Sequence, residues 1–235
     1  MTSPRPSSGR GQTTREREIH HGSPARAVIG IDEVGLAPLA GPVVACAILM
    51  PDGELISGVR DSKALSRNQR EHLDPIIRRA AVAYGLGAAS AREVERFNPR
   101  AASHLAMQRA VHALERRLGR RVEFALVDGS PAHELSALIG PHETIIKGDT
   151  SVYSIACASI VAKVLRDQLM VRLAERYPGY GWDSNAGYPA PLHLAALDQL
   201  GVTPHHRRTY APVAAQMVRN GGGPPSQYTD GTPNR

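Results

Sequence analysis

Val28-Ile29-Gly30-Ile31-Asp32-Glu33-Val34-Gly35-Leu36-Ala37-Pro38-Leu39-Ala40-Gly41-Pro42-Val43-Val44 is the stretch on which the reading of this chain turns. An apolar, β-branched run ends in two adjacent carboxylates, turns through Gly and Pro, and climbs into a second strand over 43–49. Side chains alternate along a strand, so Asp32 shares a face with Val28 and Val34 while Glu33 looks the other way. A carboxylate in a buried strand is costly, so Asp32 must meet a cation, hold a proton or sit at an opening to solvent. An isolated Asp-Glu pair would by default cap a strand at the surface. The rest of the chain weighs against that default.

Outward from this stretch, composition sets the frame. The chain has 235 residues, 42% hydrophobic and 21% charged, an ordinary balance for a soluble globular protein of one main domain with tails. The formal charge is +6, of which residues 1–26 carry +3 and residues 214–235 carry +1, leaving +2 on the core. Charge alone is therefore weak support for a nucleic-acid partner. Residues 1–26, rich in Ser, Pro, Gly, Thr and Arg, read as a disordered basic arm, and 214–235 as a second disordered tail. Cys46 and Cys157 sit in apolar runs and read as small buried hydrophobes, without metal or disulfide spacing. With no secretory h-region and no stretch of transmembrane length, the expected place is the cytoplasm, without a membrane partner.

Between the tails, strands come early in succession and later alternate with helices. Ser66 reads as the N-cap of a helix with Leu73, Ile76, Ile77 and Ala80 on its apolar face. Residues 81–88 read as a third strand through Val82, Tyr84 and Leu86, and 100–118 as a long helix. A strand over 122–127 runs into Asp128-Gly129-Ser130, a short strand covers 143–146, and 151–176 is the longest helical pattern. A further helix spans 191–200. The pattern predicts an α/β fold, a mixed sheet flanked by helices.

Two more carboxylates stand out. Asp128 ends a strand at the edge where open α/β sheets place ligands, although an Asp before Gly is more often a turn former. Asp167 has Lys163, Ile160 and Ala156 behind it on its helix face and Met170, Val171 and Ala174 ahead. A carboxylate there either points into a site or makes a solvated pair with Lys163, and spacing weighs the two equally. Were Asp32, Glu33, Asp128 and Asp167 to converge, repulsion of roughly 4 kcal/mol per close pair would demand cations. Oxygen-only donors favour Mg²⁺ or Mn²⁺. His205-His206 with Arg207-Arg208 fit an anion-binding or structural corner better than a metal cage.

At this point the chain resembles the ribonuclease HII family of the ribonuclease H-like superfamily, over residues 27–213. The likeness lies in Gly30-Ile31-Asp32-Glu33-Val34-Gly35 with Pro38-Leu39-Ala40-Gly41-Pro42-Val43, in Asp61-Ser62-Lys63 with Leu65-Ser66, and in Val127-Asp128-Gly129. It continues through Lys147-Gly148-Asp149 with Tyr153-Ser154-Ile155-Ala156, and Ala158 to Val164 with Arg166-Asp167. Tyr177-Pro178-Gly179-Tyr180-Gly181-Trp182, Gly187-Tyr188-Pro189 and His206 to Val213 complete it. Eight segments in this order are far more specific than any one of them.

The resemblance implies a ribonuclease H-like catalytic domain over 27–178 and a small helical, substrate-gripping segment over 179–213. It implies that Asp32, Glu33, Asp128 and Asp167 bind catalytic Mg²⁺ or Mn²⁺. Lys63 is then expected near a phosphate, Tyr188 under a sugar, and the turn Gly35, Leu36, Ala37 at the ribonucleotide. The implied substrates are RNA–DNA hybrids and duplex DNA holding a ribonucleotide, nicked on the 5′ side by a monomer using two metal ions to leave a 3′-hydroxyl and a 5′-phosphate. One departure stands out. The family typically has Gly-Arg-Gly where this chain has Gly35-Leu36-Ala37, which removes a charge and puts a Cβ where positive φ is costly. A chain that holds hybrids or junctions with little or no cleavage is the alternative, and a junction resolvase on the same fold is a third reading.

Overall fold

The computed structural model describes residues 13–219 and residue 221. In chain order the helices and strands are α1 (Glu16–His20), β1 (Val28–Val34), β2 (Val43–Leu49), α2 (Arg67–Ala80), β3 (Ala83–Ala89), α3 (Ala91–Phe97), α4 (Pro99–Leu118) and β4 (Phe124–Asp128). They continue with α5 (Ser136–Ile139), β5 (His142–Ile145), α6 (Tyr153–Arg176), α7 (Trp182–Asn185), α8 (Pro191–Leu200) and α9 (Ala211–Arg219). Five strands form one sheet in the order β3-β2-β1-β4-β5. β1 runs antiparallel to β2 and parallel to β4, and β4 parallel to β5, so the expected mixed sheet with flanking helices is what the chain forms. Among the described residues no helix is long and apolar enough to cross a membrane.

Contacts divide the chain into two compact units that do not follow the expected boundary at 178/179. The first gathers 13–34, 44–88 and 104–164; the second gathers 35–43, 89–103 and 165–219. Within the first unit, Cys46, Ile48, Leu73, Ile77, Ala156, Ile160 and Val161 share one buried cluster. Both cysteines are free and buried, as their apolar surroundings imply. Ser66 caps α2, accepting from the Gln69 N–H while the Gln69 side chain returns a bond to the Ser66 N–H, a reciprocal capping box. On α2, Leu73 and Ile77 are buried as expected, but Ala80 is exposed and Asp74 is buried against Arg78, at 2.7 Å.

Small residues set how closely the layers approach. A Cβ on Gly30 would lie 2.3 Å from the Ser154 carbonyl carbon and 2.5 Å from the Ile155 nitrogen, so the first turn of α6 rests directly on β1. On β3 the more buried positions are Ala83, Gly85, Gly87 and Ala89, alternating with Tyr84 and Leu86, while Val82 is exposed. A Cβ on Gly87 would fall 2.1 Å from the Ala106 oxygen, so the glycine face admits the backbone of α4. The strand expected over 81–88 is present, and the Tyr84 and Leu86 of its alternation occupy the less buried positions. The bulky residues pack only partly, and the glycines carry the tighter contact.

The second unit holds its own clusters. Met170, Tyr177, Tyr180, Trp182 and Ala196 pack around Ala40, and Leu39, Leu197, Val202 and Val213 form another group. The second tail, expected disordered from 214, is helical through Arg219 because Val213 and Gln216 of α9 are buried.

Residues 13–26 are also ordered, against the expectation of a loose arm; residues 1–12 lie outside the described residues. Thr14 forms a bridge with Val152, and buried Glu18 accepts the Ser154 N–H at 2.9 Å. Arg17 and His21 reach Glu143 at 2.8 and 2.7 Å, and His21 stacks on Phe124 with ring centroids 3.9 Å apart. Polar composition hid these anchors, since they are specific pairings and not an apolar stripe. Gly30→Ala is expected to cost about 3 kcal/mol of stability by forcing β1 off α6, read as a lower midpoint in a urea melt.

Candidate active site

The parallel ladder between β1 and β4 pairs Ile31 with Val127, so Asp32 and Asp128 are the next residues along two adjacent strands. Chain direction alone brings together two carboxylates that lie far apart in sequence. Asp32 is 4% exposed and its Oδ1 accepts the Glu33 N–H at 2.7 Å. Asp128 closes β4, and its Oδ1 accepts the Gly148 N–H at 2.7 Å. Lys147 makes that bond possible by adopting φ 56°, a left-handed turn that delivers the Gly148 amide.

The electrostatics show how tight the cluster is. Burial, then the charges of Glu33 and Asp128, hold the Asp32 pKa well above the usual carboxylate range, against a stabilising bond from the Ser159 hydroxyl. Ser159 is itself fixed by the Ser62 hydroxyl at 2.8 Å. Burial and then Asp128 push Glu33 up to about 7. Asp128 is raised by burial and then by Asp149, with the Gly148 amide pulling the other way. Each of these carboxylates is destabilised in its charged form by the same two causes, dryness and the others' charge.

Asp149 is the residue that sequence reasoning did not place in the site. It is buried, and its charge bears on Asp32, Glu33 and Asp128. Lys63 Nζ meets its Oδ2 at 3.0 Å while the lysine side chain stays 79% exposed. The available signal was an acid one residue after Gly148, just ahead of a long apolar helix. Asp167 stands half-buried on the part of α6 that belongs to the second unit.

Gly35, Leu36, Ala37 and Tyr188 also belong to the second unit. Positive φ in this turn falls on Gly35 and Gly41, at 99° and 84°, and not on Ala37. The expected cost of a Cβ at position 37 is therefore absent. Gly35 is the position that must lack a side chain, because a Cβ there would lie 2.2 Å from Arg166 Nε. Tyr188 is 39% exposed, and His193 Nδ1 donates to its carbonyl at 2.8 Å. That bond makes His193 Nε2 an acceptor, for Trp182 Nε1 at 3.0 Å and His206 Nε2 at 3.0 Å. Burial, and then His193, push the His206 pKa down to about 3. Of the two readings of this corner, His206 and Arg207 are structural, both fully buried, while Arg208 is exposed and pairs with Glu95.

Among the described residues no three His, Cys, Asp or Glu side chains already stand in metal-ligating geometry. The acidic cluster is instead a site under electrostatic tension, and pH should read that tension. A raised carboxylate pKa means that the folded state binds the extra proton, so stability falls as pH rises through the window between the unfolded and folded values. For Glu33 that window runs from about 4.5 to about 7. Without divalent ions the protein should lose about 3 kcal/mol across it. Glu33→Gln should flatten that part of the slope and raise stability at pH 8, as read from urea melts in chelator.

Known proteins resemble this chain in sequence and in fold. The Ribonuclease HII family model matches residues 29–213. A Ribonuclease HII of Paracoccus denitrificans (strain Pd 1222) is 48% identical over 191 residues, covering 81% of this chain and 88% of the relative. One of Dechloromonas aromatica (strain RCB) is 46% identical over 194 residues, covering 83% and 95%. Among solved structures, the ribonuclease H2 from Pyrococcus horikoshii OT3 superposes with a TM-score of 0.68 at 24% identity, over 82% of this chain and 97% of that one, a likeness of fold. With the family match spanning most of the chain and relatives of nearly equal extent close to half identical, the chain belongs to the ribonuclease HII family and is a type 2 ribonuclease H.

Proposed function

We propose that this enzyme cuts the RNA strand of RNA–DNA hybrids and nicks duplex DNA on the 5′ side of an embedded ribonucleotide, leaving a 3′-hydroxyl and a 5′-phosphate. The observation that carries the reading is the crowding of Asp32, Glu33 and Asp128. All three are raised in pKa, and Glu33 Oε2 is buried with no hydrogen-bond partner among the described residues. Such a group calls for a cation. The donors are all oxygen, which suits Mg²⁺ or Mn²⁺ and not zinc. Asp32, Glu33, Asp128 and Asp167 would hold it.

Two such ions, when bound, supply an attacking water of lowered pKa and stabilise charge on the leaving 3′-oxygen. The chain's own residues do the remaining work. The Gly148 amide and the Ser159 hydroxyl orient Asp128 and Asp32 ahead of any ligand. Lys63 offers an exposed ammonium to a substrate phosphate, and the exposed ring of Tyr188 offers a stacking face. The turn at Gly35-Leu36-Ala37 reads the 2′-hydroxyl, the group that distinguishes RNA from DNA. In this reading the 2′-hydroxyl is a handle and not the nucleophile. The alternative of a non-cleaving binder drew on the lost charge at Leu36 and on strain at Ala37, and of these the strain is absent, since Ala37 adopts no positive φ.

Incubated with Mg²⁺ or Mn²⁺ and a duplex holding one ribonucleotide, the protein should give a single nick on its 5′ side. Asp128→Asn should slow that nick by at least about 100-fold, measured as single-turnover cleavage on a denaturing gel. Tight binding that is indifferent to metal, with neither the single-ribonucleotide duplex nor a hybrid cut, would overturn the assignment.

A further inference from the structure

Two arginines of the second unit are wholly buried with main-chain carbonyls where carboxylates would be expected. Arg207 uses all five of its N–H donors. Nε reaches the Gly41 oxygen at 3.1 Å, Nη1 the Leu36 oxygen at 2.7 Å and the Tyr210 hydroxyl at 3.1 Å. Nη2 reaches the Gly35 oxygen at 2.6 Å and the Gly41 oxygen at 2.9 Å. The Tyr210 hydroxyl in turn donates to the Leu36 oxygen at 2.5 Å. Arg166 holds the rest of the loop, donating to Pro42 at 2.9 Å, Ala40 at 3.2 Å and Ala186 at 3.0 Å.

A guanidinium offers its donors in one rigid plane, a geometry that an ammonium cannot copy. Peptide units are planar and, in this turn, trans, so the carbonyl of one residue and the N–H of the next point opposite ways. Once the Gly35 and Leu36 carbonyls are drawn onto Arg207, the N–H groups of Leu36 and Ala37 must face away from it. Ala37 is exposed. Successive N–H groups turned to one side of an exposed bend make a concavity for oxygen acceptors, negatively charged ones above all.

We propose that Arg207 is a positioning residue for ribonucleotide recognition: by holding the Gly35 and Leu36 carbonyls inward, it presents the Leu36 and Ala37 amides to the ribonucleotide's oxygen acceptors. The inference rests on the proposed function of the turn and adds the device that shapes it. It also accounts for the departure at Leu36. The recognising groups are main-chain, so they do not depend on the side chain at position 36. Through Ala186, Arg166 also ties the loop to the segment that carries Tyr188.

Arg207→Lys keeps the charge and loses the fork, which makes it the decisive variant. Two readouts are taken. The first is the ratio of kcat/KM on a single-ribonucleotide duplex to kcat/KM on a uniform RNA–DNA hybrid. The second is amide hydrogen exchange at Leu39 and Gly41, whose N–H groups bond Gly187 and His205 at 2.8 and 2.9 Å. The expected result is a fall of about tenfold in the ratio, carried by KM, and exchange about tenfold faster in the turn with β4 unchanged. A ratio that stays constant while both activities drop together overturns the proposal, as does unchanged exchange in the turn. Should Arg207→Lys fail to fold, Tyr210→Phe removes one donor to Leu36 and should lower the same ratio about threefold, and no change there also overturns it. A parent protein that cuts neither substrate defeats the proposed function instead, and the exchange measurement still decides the role of Arg207.

Discussion

Repulsion between carboxylates held in a dry strand edge is the constraint from which the first unit's design follows. Asp32 and Asp128 are neighbours because β1 and β4 run parallel, and Glu33 and Asp149 join them from the residues alongside. An interior with an effective dielectric near 20 makes each close pair cost several kcal/mol, so the surroundings are built to offset charge piecemeal. An amide from Gly148 serves Asp128, a hydroxyl from Ser159 serves Asp32, and Lys63 serves Asp149. None of these is a full counter-charge for the cluster. The residual imbalance makes the edge costly, as is common at sites where function and stability compete.

The second unit solves the opposite problem. Its interior holds two guanidinium groups that repel one another, and it disperses them over eight donor contacts to carbonyl and hydroxyl oxygens. Partial charges replace formal ones, so the loop they bind becomes a rigid part of the fold without fixing the side chains it displays. The histidine pair nearby works in the same spirit. Each ring has one donor and one acceptor, and the chain Thr203, His206, His193, Tyr188 satisfies them in a single direction with both rings neutral.

Much of this was legible before any coordinates. Alternation and β-branching located β1 and β2, the Ser66 capping signal located α2, and α8 starts where it was expected, at about Pro191. The adjacency of Asp32 and Asp128 was legible only as motif order, because strand pairing is a long-range event that no local period encodes. The close-packed face of β3 was not legible, because hydropathy counts what a side chain contributes, whereas Gly85 and Gly87 act by having none. Asp149 was read only as part of the segment Lys147-Gly148-Asp149, since its bearing on Asp32 and Asp128 is a long-range effect that no local pattern marks. Arg207 was legible as part of a corner but its partners were not: they are carbonyls, which every residue carries and no sequence advertises.

The ordered segment ahead of β1 bears on how this protein should be handled at the bench. Glu18 sits at the start of α6, where four amides lack partners within the helix and the helix dipole favours a negative charge. A shortened version begun at Ile29, the first residue of the family match, would keep every catalytic candidate and still strip the leading end of the longest helix of its anion. Loss of solubility in such a trimmed version would reflect the bared helix end together with the lost Val28 of β1 and the lost His21 contacts, and not damage to the chemistry.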